Sequence, residues 1–153
     1  MNIPCDGVNI ARLEPQEVVN ASSQLIVLQR QAYLIEAALI GDYRIPQLSE
    51  SEARLVAAGL QWHVAIASSA IVAAIAYSKP ALSLEVDRLF VEPRWHRLGL
   101  ARQLILSLGS EPIDVSTGRE NTPARRLYEA LGFSHVGDTE ALPGLWVSRY
   151  KRA

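Results

Sequence analysis

Cysteine is nearly missing from this chain of 153 residues. Cys5 is the only one, so no disulfide can close within the chain, which fits a reducing cytosol. A charge excess is missing too. With 15 Lys and Arg against 16 Asp and Glu, the net charge of −1 provides no field for nucleic acid or another polyanion, and no nucleic-acid partner is expected. There is no apolar run long enough for a bilayer: the longest, Val64 to Tyr77, is broken by Ser68 and Ser69, so no membrane contact is expected. The opening Met-Asn-Ile-Pro-Cys-Asp lacks the basic start and apolar stretch of a signal peptide, and a cytoplasmic location is expected. The chain shows no repeat, low-complexity tract or interdomain linker. The glycine spacings of a Walker loop and of a dinucleotide fingerprint are absent. His96 and His135 do not combine with Cys5 or the carboxylates at metal-ligand spacing, so no metal is expected, and no Ser–His–Asp order points to a hydrolase.

What is present is an ordinary globular balance, 49% hydrophobic and 20% charged, in a length that fits one domain with its own core. Val8 to Leu13 reads as a first strand, ended by Glu14-Pro15. Gln16 to Leu39 carries apolar residues at helical spacing and stops at Gly41. A polar connector with Pro46 follows, then a short helix from Glu52 to Ala58 with Ser49 or Ser51 as its cap. Residues 61–67 and 70–78 read as a hairpin around Ser68-Ser69. Residues 112–117 read as a strand, 122–131 as a helix with Pro123 in its first turn, and 133–136 with 145–150 as a closing strand pair joined by Gly137 to Gly144. The order predicts an α/β (α+β) layer fold with a mostly antiparallel sheet.

The most informative stretch lies between these parts. Leu84 to Val91 is strand-like, Glu92-Pro93 ends it, a basic turn follows at Arg94, His96 and Arg97, and from Gly99 the apolar spacing becomes helical. A strand feeding a glycine turn and a helix start offers unpaired backbone N–H groups to an anion, above all a phosphate, although an ordinary βα connection has the same outline. Downstream, Asn121 to Phe133 adds a second pattern.

Together the two stretches resemble the GNAT superfamily of N-acetyltransferases, which move an acyl group from acyl-coenzyme A to an amine. The family's pyrophosphate loop, Gln/Arg-x-x-Gly-x-Gly/Ala, falls on His96, Arg97, Leu98, Gly99, Leu100 and Ala101, with His96 departing from the usual Gln or Arg. The later motif, Asn-x-x-Ala-x-x-Leu/Phe-Tyr-x-x-x-Gly-Phe, is filled at Asn121, Ala124, Leu127, Tyr128, Gly132 and Phe133. The resemblance covers about Ile71 to Phe133. It implies a GNAT fold of six to seven strands flanked by about four helices, and a single such domain over residues 1–153.

The resemblance also implies roles. Backbone N–H groups from Arg97 to Ala101 would hold the coenzyme A pyrophosphate, and Leu89, Phe90 and Val91 would run beside the pantetheine arm, pairing at Leu89 and Val91 like an added strand. Tyr128 would be the general acid for the departing thiolate; its helical spacing also suits a core aromatic. Glu85, matching the strand glutamate that serves some relatives as base, and Asp87, two residues on, are candidate bases; an ion pair, a solvated strand edge or a water chain competes. Asn121 reads as a helix cap, as a partner of the coenzyme A arm, or as both. On the acceptor side, Ala38 to Pro46 is similar to a stretch in small bacterial GNAT proteins, which brings Asp42 and Tyr43 near the acceptor. The acids Glu36, Asp42, Glu50 and Glu52 favour a cationic acceptor, and solvated helix faces explain them equally well. Trp62 and His63 either line the cleft or pack as strand residues. The expectation is an acetyltransferase that uses acetyl-coenzyme A and an amine acceptor by direct attack in a ternary complex, since no residue stands out as a covalent nucleophile. The rivals are a coenzyme A-binding sensor without turnover, against which Tyr128 and the loop argue, and a small interaction module. A homodimer contact would be sought at Leu142 to Tyr150.

Overall fold

The computed structural model describes residues 7–153; the first six residues, with Cys5 and the segment tested as a signal peptide, lie outside them. Strand β1 (Val8–Leu13) leads into helix α1 (Pro15–Ile40). Pro15 occupies the first turn, and the Glu14 backbone N–H donates to Glu17 Oε1 at 2.8 Å. α1 is one 26-residue helix and exits through Gly41 at φ 71°. A short 3-10 turn at Pro46–Leu48 precedes helix α2 (Glu52–Ala57), whose cap is Ser51: its side chain accepts from Arg54 N at 3.1 Å. Strands β2 (Gln61–Ala67) and β3 (Ala70–Ser78) form the expected hairpin. Ser68 and Ser69 both take positive φ, 50° and 67°, the twist that a two-residue hairpin turn requires.

Strand β4 (Leu84–Val91) is followed by helix α3 (Leu100–Leu106), strand β5 (Ile113–Gly118), helix α4 (Thr122–Ala130), strand β6 (Ser134–Leu142) and strand β7 (Leu145–Arg152). The sheet order is β1-β2-β3-β4-β5-β7-β6, antiparallel throughout except for β4 beside β5. This is the seven-stranded, mostly antiparallel mixed sheet with four helices that the resemblance implied. One boundary differs from expectation. Residues 137–142 continue β6 rather than forming a loop. β6 is the edge strand, nearly every residue faces solvent, and bulges interrupt its register near Gly137 and Ala141, so it carries no apolar alternation to read.

From Ala73 to Tyr77, β3 alternates between the faces. Ala73, Ile75 and Tyr77 join a core with α3 and α4, whereas Ala74 and Ala76 join a core with α1 and α2. β4 does not alternate cleanly. Ala76 pairs with Arg88 and Tyr77 with Val86, which leaves Asp87 without a partner in β3. Across this bulge the faces change phase: Leu84 and Val86 share one core with Leu89 and Val91, and Phe90 turns to the other.

Arg88 ties α1, the 46–51 connector and β4 together. Only 6% of its side chain is exposed. It ion-pairs with Glu50, donates to Gln29 Oε1 at 3.1 Å, and reaches Asp87 at 2.8–2.9 Å. Gln29, fully buried, returns bonds to Glu50 and to the Gln47 carbonyl oxygen. Removing one member leaves the others charged or polar and unpaired. Arg88→Met is therefore expected to cost about 3–5 kcal/mol, read as a lower urea midpoint with an unchanged m value.

Candidate active site

β4 and β5 pair only at Leu84 with Ile113 and at Glu85 with Asp114. Beyond these pairs β5 stays with β7 as far as Gly118, while β4 stays with β3 as far as Val91. The gap between them is a cleft of about 730 Å³, walled by β4 from Val86 to Val91, β5 from Val115 to Gly118, the inner face of α1, and the starts of α3 and α4. One edge of β4 thus presents unpaired backbone to the cleft, the arrangement that accepts an extended ligand as an added strand.

The loop expected to hold pyrophosphate lies at the cleft mouth. Arg97 (φ 66°) and Gly99 (φ 79°) take left-handed conformations, and α3 starts at Leu100. His96, Arg97, Gly99, Leu100 and Ala101 line the cleft; Leu98 does not. The His96 ring Nε2 lies 3.1 Å from the Val91 carbonyl oxygen, which fastens the loop to the end of β4. A Cβ built on Gly99 would meet nothing within 4 Å, so its glycine serves the backbone conformation and not a tight fit.

Tyr128 comes from α4 and lines the cleft while remaining only 5% exposed. Burial pushes its phenol well above the ordinary value, and the charge of Glu36 adds to that. Tyr33 of α1, also lining the cleft, is raised in the same way, first by burial and then by Glu36, with a backbone hydrogen bond from Leu89 opposing. Both phenols therefore stay protonated at neutral pH.

Asn121 has a double engagement. Its Oδ1 accepts from Ala124 N at 3.2 Å as the cap of α4, and its Nδ2 donates to Glu36 Oε1 at 2.7 Å. Thr117 Oγ1 donates to the same Glu36 oxygen at 3.1 Å. Glu36, Thr117 and Asn121 thus join α1, β5 and α4 across the cleft. Thr117 and Tyr33 were not singled out from the sequence, since nothing local marks either; Arg88 had a usable signal, a lone cation inside an apolar strand.

Several expected residues lie elsewhere. Trp62 is fully buried in the α1–α2 core, edge-on to Phe90 at 6.1 Å and beneath the Arg88 guanidinium, so it is a packing residue and not an acceptor contact. Glu85 is exposed at the joined end of β4 and β5 and does not line the cleft. Asp87 does line it, ion-paired to Arg88. Tyr43 is 61% exposed beyond the end of α1 and does not line the cleft. Asp42 lines a separate small polar cavity and is bound by Arg44, whose hydrogen bond lowers its carboxyl to about 2. Among the described residues no group of three or more His, Cys, Asp or Glu side chains could hold a metal, and no helix is long and apolar enough to cross a membrane. His63 sits between Tyr77 and Ser107 at 2.9 Å each, on the α3 side and outside the cleft.

The cleft, the strand parting and the loop define an acyltransferase-like α/β fold, and the comparisons agree. The chain matches the model of the acetyltransferase (GNAT) domain over residues 36–152 and belongs to that family. It is 30% identical over 130 residues to the UPF0157 protein YqkA of Bacillus subtilis; the match takes in 82% of this chain but only 38% of that relative's length. In fold it is similar to the PaiA N-acetyltransferase of Thermoplasma acidophilum in complex with coenzyme A (TM-score 0.73, 17% identity, 94% of this chain and 98% of that one). It is equally similar to the ribosomal-protein-S18-alanine N-acetyltransferase of Escherichia coli (TM-score 0.73, 16% identity, 95% and 92%).

A titration checks the electrostatics of the cleft. The absorbance at which phenolate forms, compared between the wild type and Tyr128→Phe, is expected to show no difference below about pH 11, because burial and the Glu36 charge both oppose the phenolate. A Tyr128 transition near the ordinary phenol value of about 10 would contradict the placement.

Proposed function

We propose that this protein, as a single GNAT domain, is an N-acetyltransferase that binds acetyl-coenzyme A along the free edge of β4 and transfers the acetyl group directly to a primary amine. The observation that carries this reading is the unpaired β4 edge, which leads from the loop at Arg97 to Ala101 down to the buried Tyr128. The fit of the donor rests on the cleft itself. Backbone N–H groups at two left-handed turns and a helix start suit a pyrophosphate, and the small Ala101 leaves the approach open. The β4 edge from Val86 to Val91 has no strand partner on the cleft side and can pair with amides once the side-chain bonds of Tyr33 to Leu89 and His96 to Val91 give way.

Acetyl-coenzyme A supplies a thioester carbonyl that an unprotonated amine can attack. The chain's own residues have three tasks. The loop and strand hold the donor in line, so that attack becomes effectively intramolecular. Tyr128, kept protonated by burial, gives its phenolic proton to the departing sulfur. A carboxylate on the cleft wall receives the proton of the amine; Asp87 and Glu36 are the two that reach it, whereas Glu85 does not. Asn121 holds the start of α4 and, through α4, the position of Tyr128.

Two measurements test this. At about one hundred times its dissociation constant, coenzyme A is expected to stabilise the wild type by about 2.7 kcal/mol, a rise of several degrees in the unfolding midpoint. Ala101→Glu, which places a carboxylate at the expected phosphate site, is expected to abolish that rise; an undiminished rise would place the donor elsewhere. Tyr128→Phe should leave coenzyme A affinity within about twofold and lower kcat by roughly 10²-fold or more, the scale of a lost general acid. Unchanged kcat in stopped-turnover assays over a panel of amines would remove Tyr128 from the chemistry.

A further inference from the structure

The two ends of the cleft differ in charge. The loop end carries Arg97, Arg102 and His96. The α1 end is lined by Ile35, Leu39, Ile40, Ile45, Leu145 and Val147, with Glu36 as its one charged group. The cleft's other acid, Asp87, is already paired with a cation, the Arg88 guanidinium at 2.8 Å, which it shares with Glu50. Glu36 is not: its partners, the Asn121 amide and the Thr117 hydroxyl, are both neutral donors that orient the carboxylate and leave its charge intact. A carboxylate that lines a cleft beside alkyl side chains favours one cation placed against it. A second or third cation on the same ligand would lie on Ile35 and Leu39, or face the arginines of the loop.

The α1 end is walled on its β5 side and open at the rim of α1. Ile40 Cγ2 lies 2.9 Å from where a Gly118 Cβ would stand, so α1 seals against β5. Arg44 joins Asp42 at 2.7 Å to the Pro143 carbonyl oxygen at 2.8 Å, fastening the connector after α1 to the β6–β7 turn. An end walled on its β5 and β6–β7 sides suits a small molecule better than a peptide chain that must run onward. The rim is apolar, with Ile35 and Leu39 about half exposed.

We propose that the acceptor is a small primary amine bearing a single ammonium on an apolar body, and that Glu36 binds this ammonium and takes its proton. This rests on the acetyltransferase reading above. The bound ammonium first gives one proton to Glu36, which passes it to bulk water and is a carboxylate again. The neutral amine nitrogen then bonds to the acetyl carbon, the carbon–sulfur bond breaks, a second amine proton passes to Glu36, and the sulfur takes the Tyr128 proton, after which water returns a proton from Glu36 to Tyr128.

The test uses coenzyme A-loaded protein for calorimetry and acetyl-coenzyme A for turnover, with hexylamine, 2-phenylethylamine and spermidine as probes. The expected result is a kcat/KM at least tenfold higher for the two monoamines than for spermidine. Glu36→Gln should bind coenzyme A within twofold of wild type, raise KM for the monoamines at least tenfold and lower kcat, with Glu36→Asp restoring part of both. Leu39→Asp, at the exposed rim, should raise spermidine turnover. A tenfold preference for spermidine, a KM within twofold in Glu36→Gln, or neither binding of nor transfer to the monoamines would overturn the proposal. A wild type that binds no coenzyme A would overturn the acetyltransferase reading itself, whereas one that binds coenzyme A and prefers spermidine overturns only the acceptor class.

Discussion

Two residue pairs, Leu84 with Ile113 and Glu85 with Asp114, hold β4 to β5, and the character of the molecule follows from the fact that the pairing stops there. A parallel pair that continued would bury its backbone groups in a closed sheet. Here the bulge at Asp87 changes the phase of β4 just past the last pair, and β5 is held by β7 along its whole length. The strands diverge, and backbone that would have closed the sheet faces a cleft. The edge is not an aggregation hazard, because it lies inside the cleft, with α1 over one side and the loop before α3 at the mouth.

The charges sort into two groups with different consequences. Arg88 is surrounded by Glu50, Asp87 and Gln29, and its charge is used up in holding α1, the connector and β4 in register. Glu36 stands about two turns along the same helix from Gln29, yet its hydrogen-bond donors are both neutral. One helix therefore contributes a satisfied structural anchor from one part of its buried face and an unneutralised charge from another. That charge acts on its surroundings: it helps keep Tyr128 and Tyr33 protonated inside the cleft.

Much of the fold was legible in the sequence because most elements carry local signals. Gly41, Pro15, Pro93 and Gly99 mark starts and stops, and the β2–β3 hairpin shows as two apolar runs about two serines. β6 was not legible, since an edge strand with both faces wet has no alternation. The site was legible where it depends on adjacent residues: the loop at 96–101, apart from Leu98, lines the cleft, and so do Asn121, Ala124, Leu127 and Tyr128 of the later pattern. It was obscure where it depends on distant ones. Asn121 could be read as a cap, but its bond to Glu36 spans 85 positions. Glu85 and Asp87 read as neighbours on one strand face, and a bulge that no local residue announces separates their environments. Trp62 could have gone either way, and packing against Phe90 decided it.

The central claim is that the free edge of β4, with the loop that follows, receives the acyl donor. Backbone hydrogen exchange read by mass spectrometry, with and without saturating coenzyme A, tests it most directly. The account predicts slowed exchange in the segments covering residues 86–91 and 97–101, with little change in the β1–β2 pair and the β6–β7 hairpin. Binding of coenzyme A with protection confined to those outer strands, and none along β4, would contradict it.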